Sequence, residues 1–407
     1  MTRTTLKFGA ALGLLLGLAA CENDQLFTNA GLQPVNPLFT RYVSMGNSIT
    51  AGFQSAGIVD STQLQAYPVL LARSMHTPFF SPLLNRPGCT PPIVSVFANP
   101  RTYLDGAPAS ACGLRKTQSV PPPYINDVAV PGAYAYSILD NQAAAAHSNP
   151  LTTFFLGGMT QMQMLRKVDP TFVTAWIGNN DVLGAATNGP NAGDSTLVTD
   201  TTTFKAEYTA LLDSMTRGGH VQGAALIGVA NVTLIPFFSK GATYFAIKAG
   251  LVPGAAFPAT FVVGPNCAPN ALGGNGDSTL VPFTFGLPLV AAAAAGATDT
   301  LTCTEQQTVQ PAELRFLVRT VNSYNTFIQA QATSHGYAYL DPNALFASVA
   351  ASIPAFPTTS GANAVAAPFG TYFSRDGVHP TALAHKLVAD SLASKINAKY
   401  GTNLVLP

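Results

Sequence analysis

Short apolar runs alternate with helix-length stretches along most of the chain. Runs of apolar and β-branched residues, each followed by small or polar residues, predict five strands: 42–46, 127–130, 172–177, 224–229 and 337–341. The stretches that predict helices lie between or after these runs: 65–75, 204–215, 313–335 and 381–396. Because helix-length crossovers connect parallel strands, the pattern predicts an α/β protein with a five-stranded parallel sheet and helices on both faces.

Three predicted strands end in small and polar residues. These ends read Gly46-Asn47-Ser48, Pro131-Gly132 and Gly178-Asn179-Asn180-Asp181. The carboxyl ends of parallel strands meet at one edge of a sheet, where open α/β sheets bind their ligands. Ser48 therefore lies in a candidate site, where it would be either a helix cap or a nucleophile.

Two proline- and glycine-rich regions, 77–123 and 237–309, interrupt the alternation. We interpret them as insertions into a single domain that spans about 40–400, and refer to them as the first and second insertions. Five phenylalanines mark the second insertion: Phe237, Phe238, Phe245, Phe257 and Phe261. They predict packing of the insertion against the body, or alternatively an apolar wall over an acyl chain.

The first 20 residues are typical of a signal peptide. Arg3 and Lys7 precede an apolar stretch that is too short to span a bilayer, and Ala19 and Ala20 precede Cys21. Leu-Ala-Ala-Cys resembles the lipobox of bacterial lipoproteins, which implies that Cys21 is lipidated; an exported protein with an incidental Cys21 is the alternative. Residues 21–39 are polar and contain two prolines, as expected of a tether. We expect an exported protein with a lipid anchor, most simply in the outer membrane.

Four further cysteines form an even set in a chain with an export signal. Sequence order favours Cys89 with Cys112 and Cys267 with Cys303, since each pair lies within one insertion, although three connectivities are formally possible. A zinc site is disfavoured because there is neither a close cysteine pair nor a nearby histidine pair. We expect no metal and no cofactor.

Charge excludes one class of partner. The 407 residues carry a formal net charge of +1 and only 10% are charged, so the sequence has no basic footprint for nucleic acid. The composition leaves the oligomeric state open.

Ester hydrolysis through a serine requires a base for the hydroxyl proton and a group that orients the base. Among six histidines, only His379 has a carboxylate nearby in a turn-forming segment, Asp376-Gly377-Val378-His379. The glycine permits a turn through which Asp376 reaches the imidazole. His385 lies beside Lys386 in the last predicted helix, and we expect it to be solvated.

These residues resemble the SGNH (GDSL-type) hydrolases, whose name comes from residues in four ordered blocks. The matching segments are Gly46-Asn47-Ser48-Ile49, Gly132 after a strand, Gly178-Asn179-Asn180-Asp181 and Asp376-Gly377-Val378-His379. The resemblance spans roughly 41–396 and implies a three-layer, flavodoxin-like α/β/α sandwich. One departure is Asn47, where the family has aspartate; asparagine keeps an acceptor and loses the charge.

The resemblance also implies roles for the matched residues. Ser48 would be the nucleophile, His379 the general base and then acid, and Asp376 its orienting partner. The oxyanion hole would consist of the backbone N–H groups of Ser48 and Gly132 and the side-chain amide of Asn180. A histidine base would make activity fall in acid.

The expected function is that of a surface-anchored serine esterase or lipase acting on a lipid ester or an acylated glycan. A polysaccharide O-acetyl esterase is the alternative within the same chemistry. A non-catalytic lipid- or carbohydrate-binding lipoprotein is an alternative of another class, but it would have no need of all five site residues: Ser48, Gly132, Asn180, Asp376 and His379.

Overall fold

The computed structural model describes residues 32–117, 122–140 and 149–406. The predicted signal peptide, Cys21, the tether as far as Gly31, and His147 lie outside these ranges. None of the helices in the described ranges is long and apolar enough to cross a membrane.

The elements are numbered in chain order. The strands of the described residues are β1 Tyr42–Gly46, β2 Ile93–Ser95, β3 Thr102–Tyr103, β4 Phe172–Trp176, β5 Gly223–Ile227, β6 Phe238–Lys240, β7 Phe261–Val263, β8 Leu280–Pro282, β9 Asp299–Leu301 and β10 Ala338–Leu340. Their α-helices are α1 Ser48–Ala51, α2 Asp60–Gln63, α3 Tyr67–Met75, α4 Pro150–Leu156, α5 Gln161–Val168, α6 Asn180–Ala186, α7 Thr201–Thr216, α8 Gly241–Lys248, α9 Phe283–Ala294, α10 Pro311–Ser334, α11 Pro342–Val349, α12 Asn363–Ala366 and α13 Ala382–Tyr400.

The central sheet is parallel and has the order β1-β4-β5-β10. The prediction of a fifth strand at 127–130 is wrong. This segment does run beside β1, since Val128 N donates to Ser44 O at 2.9 Å and Val130 N donates to Gly46 O at 3.2 Å. It forms only a single parallel bridge, because the Gly46 N–H that a second bridge requires donates to the side chain of Gln161 and not to Val128 O.

Both faces of the sheet are covered, as the apolar strands predict. Along β4, Phe172 and Trp176 pack in the layer of α3 and α13, whereas Val173 and Ala175 pack in the layer of α5, α7 and α10. Alternate residues of a strand point to opposite faces, so a strand that is apolar throughout requires a helix layer on each side. The expected three-layer α/β/α fold is confirmed.

The four predicted helices correspond to α3, α7, α10 and α13. The predicted continuation of the fourth strand into 234–236 is wrong, because β5 ends at Ile227 and a loop follows. The sequence analysis also missed several shorter helices. One of these is α5, which begins with a reciprocal cap between Thr160 and Gln163.

Both predicted cysteine pairs are disulfide-bonded, Cys89 to Cys112 and Cys267 to Cys303. The second insertion contains two small sheets, β6 with β8 and β7 with β9, and a core of its own around Tyr244. Three of its five marked phenylalanines pack in or against that core: Phe245, Phe257 and Phe261.

The end of β1 is fixed by the side chain of Gln161 at the start of α5. The Gly46 N–H donates to Gln161 Oε1 at 2.9 Å, and Gln161 Nε2 donates to Gly46 O at 2.8 Å. A Cβ at position 46 would lie 2.4 Å from Thr50 Oγ1 and 2.5 Å from Trp176 O, so only glycine fits there. The backbone two residues before Ser48 is therefore held on both sides.

A buried carboxyl group joins two loops at the carboxyl edge of the sheet. Asp181 Oδ2 accepts from Ala135 N at 3.1 Å, and Oδ1 accepts from Thr199 Oγ1 at 2.8 Å. The neighbouring Asn180 donates from Nδ2 to Ala133 O at 2.8 Å. Burial raises the pKa of Asp181 to about 7, despite these hydrogen bonds. The start of α6 thereby fixes the loop that carries Gly132.

Replacing Gln161 with leucine should destabilise the fold. The substitution leaves the buried Gly46 N–H without its acceptor, which costs about 1–3 kcal/mol in the free energy of unfolding. Urea unfolding measures this loss. Gln65→Leu, at an exposed position, is the control, and an equal loss in both variants would contradict the assigned role.

Asp181→Asn should change how stability depends on pH. The pKa of Asp181 is raised in the folded state, so its contribution to stability is fully present below the unfolded value of about 3.9 and is lost as pH rises through about 7. Asparagine does not titrate, so the wild type should lose up to about 4 kcal/mol relative to the variant between about pH 4 and pH 8.

Thermal and urea unfolding across this pH range test the prediction. Asp213→Asn removes an exposed carboxylate and serves as the control. If wild type and Asp181→Asn keep the same stability difference at every pH, the protonation of Asp181 is not coupled to folding.

Candidate active site

Ser48 is the first residue of α1, directly after β1. Asn47 precedes the helix as its N-cap, and its Oδ1 accepts from Ile49 N at 3.2 Å. The interpretation of Ser48 as the cap is therefore wrong, and the asparagine at position 47 does the capping that an aspartate could do. The side chain of Ser48 is left available for another partner.

That partner is His379. Its Nε2 lies 2.9 Å from Ser48 Oγ, and its Nδ1 lies 2.8 Å from Asp376 Oδ2. An ionised carboxylate only accepts, so Nδ1 carries the proton and Nε2 accepts from the Ser48 hydroxyl. The three predicted residues form one continuous chain of hydrogen bonds, in the order that removal of the serine proton requires.

Asp376 is held by donors from both ends of the domain. Its Oδ2 also accepts from Ala56 N at 2.6 Å, while Oδ1 accepts from Ser374 Oγ at 3.0 Å and from the amides of Val378 and His379, each at 2.9 Å. Burial alone would raise the pKa of Asp376, but the electrostatic interaction with His379 and these hydrogen bonds outweigh it and lower the pKa to about 2. Asp376 is therefore a carboxylate at neutral pH.

The turn between Asp376 and His379 depends on Gly377, whose φ is +69°. The Gly377 carbonyl accepts from Phe237 N at 2.9 Å, which joins the first residue of the second insertion to this turn. On the other side, the ring of Phe53 lies 4.9 Å from the imidazole of His379. The imidazole is thus positioned by backbone and by packing.

The predicted oxyanion donors occupy neighbouring loops. Gly132 has a φ of +80° and lies between Val130, which is bonded to Gly46, and Ala133, which accepts from Asn180. Within the described residues, no acceptor is bonded to the backbone N–H of Ser48 or of Gly132. The two backbone amides can therefore donate to an oxygen of a bound substrate.

Sequence reasoning missed the residues that support the site. Asn149 donates from its side chain to Pro131 O at 2.9 Å, next to Gly132. Ser55 N donates to Ser374 Oγ at 2.8 Å, and Ala56 donates to Asp376 through its backbone. A backbone contribution from an alanine leaves no signal in the sequence.

His385 is fully buried, so its expected exposure is wrong. Its Nδ1 accepts from Tyr67 N at 3.3 Å, and burial lowers its pKa to about 3. The neighbouring Lys386 lies about 100° further round α13 and reaches solvent, which is why adjacent polarity gave the wrong prediction. His385 is a neutral core residue at neutral pH.

A cavity opens beside Ser48 and Asn180, which we call the Trp176 cavity. Apart from the site residues, its walls are almost entirely apolar and come largely from α11, α13 and the loop after β5: Ile49, Trp176, Leu183, Val232, Ile235, Leu345, Phe346, Val349, Val378, Leu387 and Val388. Walls of this kind accommodate an apolar group next to the nucleophile.

A second cavity of about 340 Å³, the Arg101 cavity, also borders His379. The two insertions supply nearly half of its lining residues: Ile93, Val96, Arg101, Phe237, Phe283 and Thr284. Among the five marked phenylalanines, Phe237 lines this cavity, Phe238 is buried in the main core, and the other three pack in or against the core of the second insertion. The alternative of an apolar wall therefore applies to Phe237 alone. The described residues contain no group of three histidine, cysteine or acidic side chains that could hold a metal ion.

Comparison with known proteins gives structural matches and no sequence match. No protein-family model matches the sequence, and neither does any curated protein. An acetylxylan esterase from Geobacillus stearothermophilus is 12% identical, with a TM-score of 0.39 over 90% of this chain and 96% of that one. LAE5, an alpha/beta hydrolase from the metagenome of Lake Arreo, is 11% identical, with a TM-score of 0.39 over 90% and 97%.

A family two carbohydrate esterase from Clostridium thermocellum is 13% identical, with a TM-score of 0.34 over 90% of this chain and 66% of that one. TM-scores this low carry no argument about what this chain does. The topology of this chain, and the way its four sequence blocks meet at one site, agree with what the resemblance to the SGNH hydrolases implies. The chain has the three-layer α/β/α fold with a parallel sheet that the resemblance to the SGNH (GDSL-type) hydrolases implies.

Proposed function

We propose that the protein hydrolyses carboxylic esters through an acyl-enzyme on Ser48. The observation that carries this proposal is the chain of hydrogen bonds from Ser48 through His379 to Asp376, with distances of 2.9 and 2.8 Å. A serine that serves only as a cap or a surface group has no need of a histidine held by a buried carboxylate.

In the first half-reaction, Ser48 Oγ attacks the acyl carbonyl while its proton passes to His379 Nε2. The carbonyl oxygen becomes negative and is stabilised by the N–H groups of Ser48, Gly132 and the Asn180 side chain. The protonated His379 then gives its proton to the departing alcohol, which leaves the acyl group on Ser48. Asp376 stabilises the positive imidazole in this step.

In the second half-reaction, His379 takes a proton from water, which attacks the acyl-enzyme. The second tetrahedral intermediate uses the same oxyanion donors. It collapses with release of the carboxylic acid and return of the proton to Ser48. No cofactor is needed for either half-reaction.

The Trp176 cavity favours esters that place an apolar group beside Ser48, because a polar group there would lose its hydrogen bonds to water. An acyl chain of several carbons satisfies this condition. A polysaccharide O-acetyl esterase is the second candidate, since the Arg101 cavity, which also borders His379, could hold a bulky alcohol.

The location is also a proposal: an exported protein, lipidated at Cys21 and anchored most simply in the outer membrane. Its support is the charged and apolar pattern of the first 20 residues together with Leu-Ala-Ala-Cys. Two disulfides within the folded domain suit an oxidising compartment.

Hydrolysis of p-nitrophenyl esters from acetyl to long acyl chains tests the activity, with Ser48→Ala in parallel. Wild type should turn over and Ser48→Ala should fall to background. A preference for chains longer than acetyl supports the apolar-acyl assignment, whereas a preference for acetyl supports the second candidate. Equal activity in wild type and Ser48→Ala would exclude Ser48 as the nucleophile.

Asn180→Ala should reduce kcat by about a hundred- to a thousandfold, because it removes one donor to the developing oxyanion. Substrate affinity should change much less, since the donor acts mainly in the transition state. Steady-state kinetics separate the two effects. Asn322→Ala, an exposed position on α10, is the control; a loss confined to KM in Asn180→Ala would contradict the oxyanion role.

A further inference from the structure

Basic residues collect at one edge of the central sheet. The strands begin at the edge opposite the active site, where Thr171 N donates to Arg41 O and Gln222 N donates to Thr171 O, both at 2.9 Å. The helices that return from the active-site edge end here, among them α5 at Val168 and α7 at Thr216. We call this opposite edge the amino edge. The last turns of several helices lie here, and basic residues are favoured in the last turn of a helix.

Cations gather at the amino edge. Five basic residues define what we call the basic face: Arg41, Arg166, Lys167, Arg217 and Lys399. Two acidic residues lie near them, Asp169 and Asp213. Helix dipoles favour basic residues in the last turn, and a parallel fold brings several last turns together. The basic face carries a formal charge of +3 (five basic minus two acidic residues), so in a protein with a formal net charge of +1 the remainder carries 1 − 3 = −2.

The basic face contains a depression of about 200 Å³ between the ends of α5 and α7, lined in part by Arg166, Arg217 and His220. The acidic residue in this depression already has partners, since Asp169 forms an ion pair with Arg41 at 2.7 Å and its carboxylate contacts the ring of His220. Arg166 and Arg217 are exposed and form no ion pair within the described residues. The depression can therefore accept a negatively charged group.

The N-terminal segment enters the fold at this same edge. Val35 N donates to Met75 O at 3.1 Å, at the end of α3, and Asn36 caps the short turn before β1. From there, the 14 positions back to position 21 of the sequence span at most about 50 Å even when fully extended. A lipid on Cys21 would thus lie within about 50 Å of the point where the chain enters the amino edge.

We propose that the basic face docks on the anionic phospholipid headgroups of a bilayer, so that the active site, at the opposite edge, faces away from that bilayer. Basic residues next to an anionic leaflet are attracted to it, and the depression between α5 and α7 provides a place for a headgroup phosphate. The docking itself does not depend on ester hydrolysis; its relation to an anchor rests on the proposed lipidation of Cys21.

Vesicle binding tests the docking. The chain from Glu22 onward carries neither the apolar leader nor Cys21, and it retains the whole described core, which begins at Leu38. Ser48→Ala is introduced into every sample, so that lipid hydrolysis cannot contribute. Co-sedimentation is compared between vesicles of phosphatidylcholine alone and vesicles that also contain phosphatidylglycerol.

The protein should bind the phosphatidylglycerol vesicles selectively, with an affinity that falls as salt is added. Arg166→Glu/Arg217→Glu should weaken this binding by at least about fivefold for each cation removed. The matched control is Arg315→Glu/Arg319→Glu, which reverses two exposed charges in the first half of α10, away from the amino edge. This control should keep wild-type binding.

Two outcomes would overturn the docking proposal: equal binding to both kinds of vesicle, or an equal loss in the two double variants. Thermal unfolding of each variant shows that a loss of binding is not a loss of fold. Because every sample lacks the Ser48 hydroxyl, failure of the ester-hydrolase proposal leaves this test unaffected.

Discussion

The carboxylate of Asp376 is the contact on which the site depends. It binds the imidazole of His379 and the backbone of Ala56, residues that are 3 and 320 positions away. The segment after the nucleophile and the segment before the last helix are therefore held by the same two oxygens. Their negative charge is retained in a buried place because donors surround it, and the low pKa of Asp376 reflects that balance.

The sequence predicted those parts of the structure that rest on local patterns. Four strands, four long helices, both cysteine pairs and the ordered glycine, asparagine, serine and histidine blocks are visible as periodicity, composition or spacing. The strand expected at 127–130 failed because pairing depends on the hydrogen bonds of the neighbouring strand as well as on apolar residues, and the Gly46 N–H of β1 donates to Gln161. His385 failed because the polarity of Lys386 says nothing about the side of the helix that lies about 100° away, where His385 points into the core.

Other features could not be predicted because they arise from backbone atoms or from distant contacts. Gln161 bonds both polar atoms of the Gly46 backbone across 115 positions, and Asn149 supports Pro131 from the start of a helix that had no clear pattern. The walls of the Trp176 cavity come from segments separated by more than 100 residues. Which of their apolar side chains meet is determined by tertiary packing rather than by local propensity.

The hydrogen bond from Phe237 N to Gly377 O has a consequence for how this protein could diversify. It uses only main-chain atoms, so any residue except proline at position 237 can make it. The side chain at that position, which lines the Arg101 cavity, is thereby separated from the support of the catalytic turn. Substitutions there can reshape what the cavity admits while the imidazole stays in place, so substrate preference and catalytic competence can evolve independently.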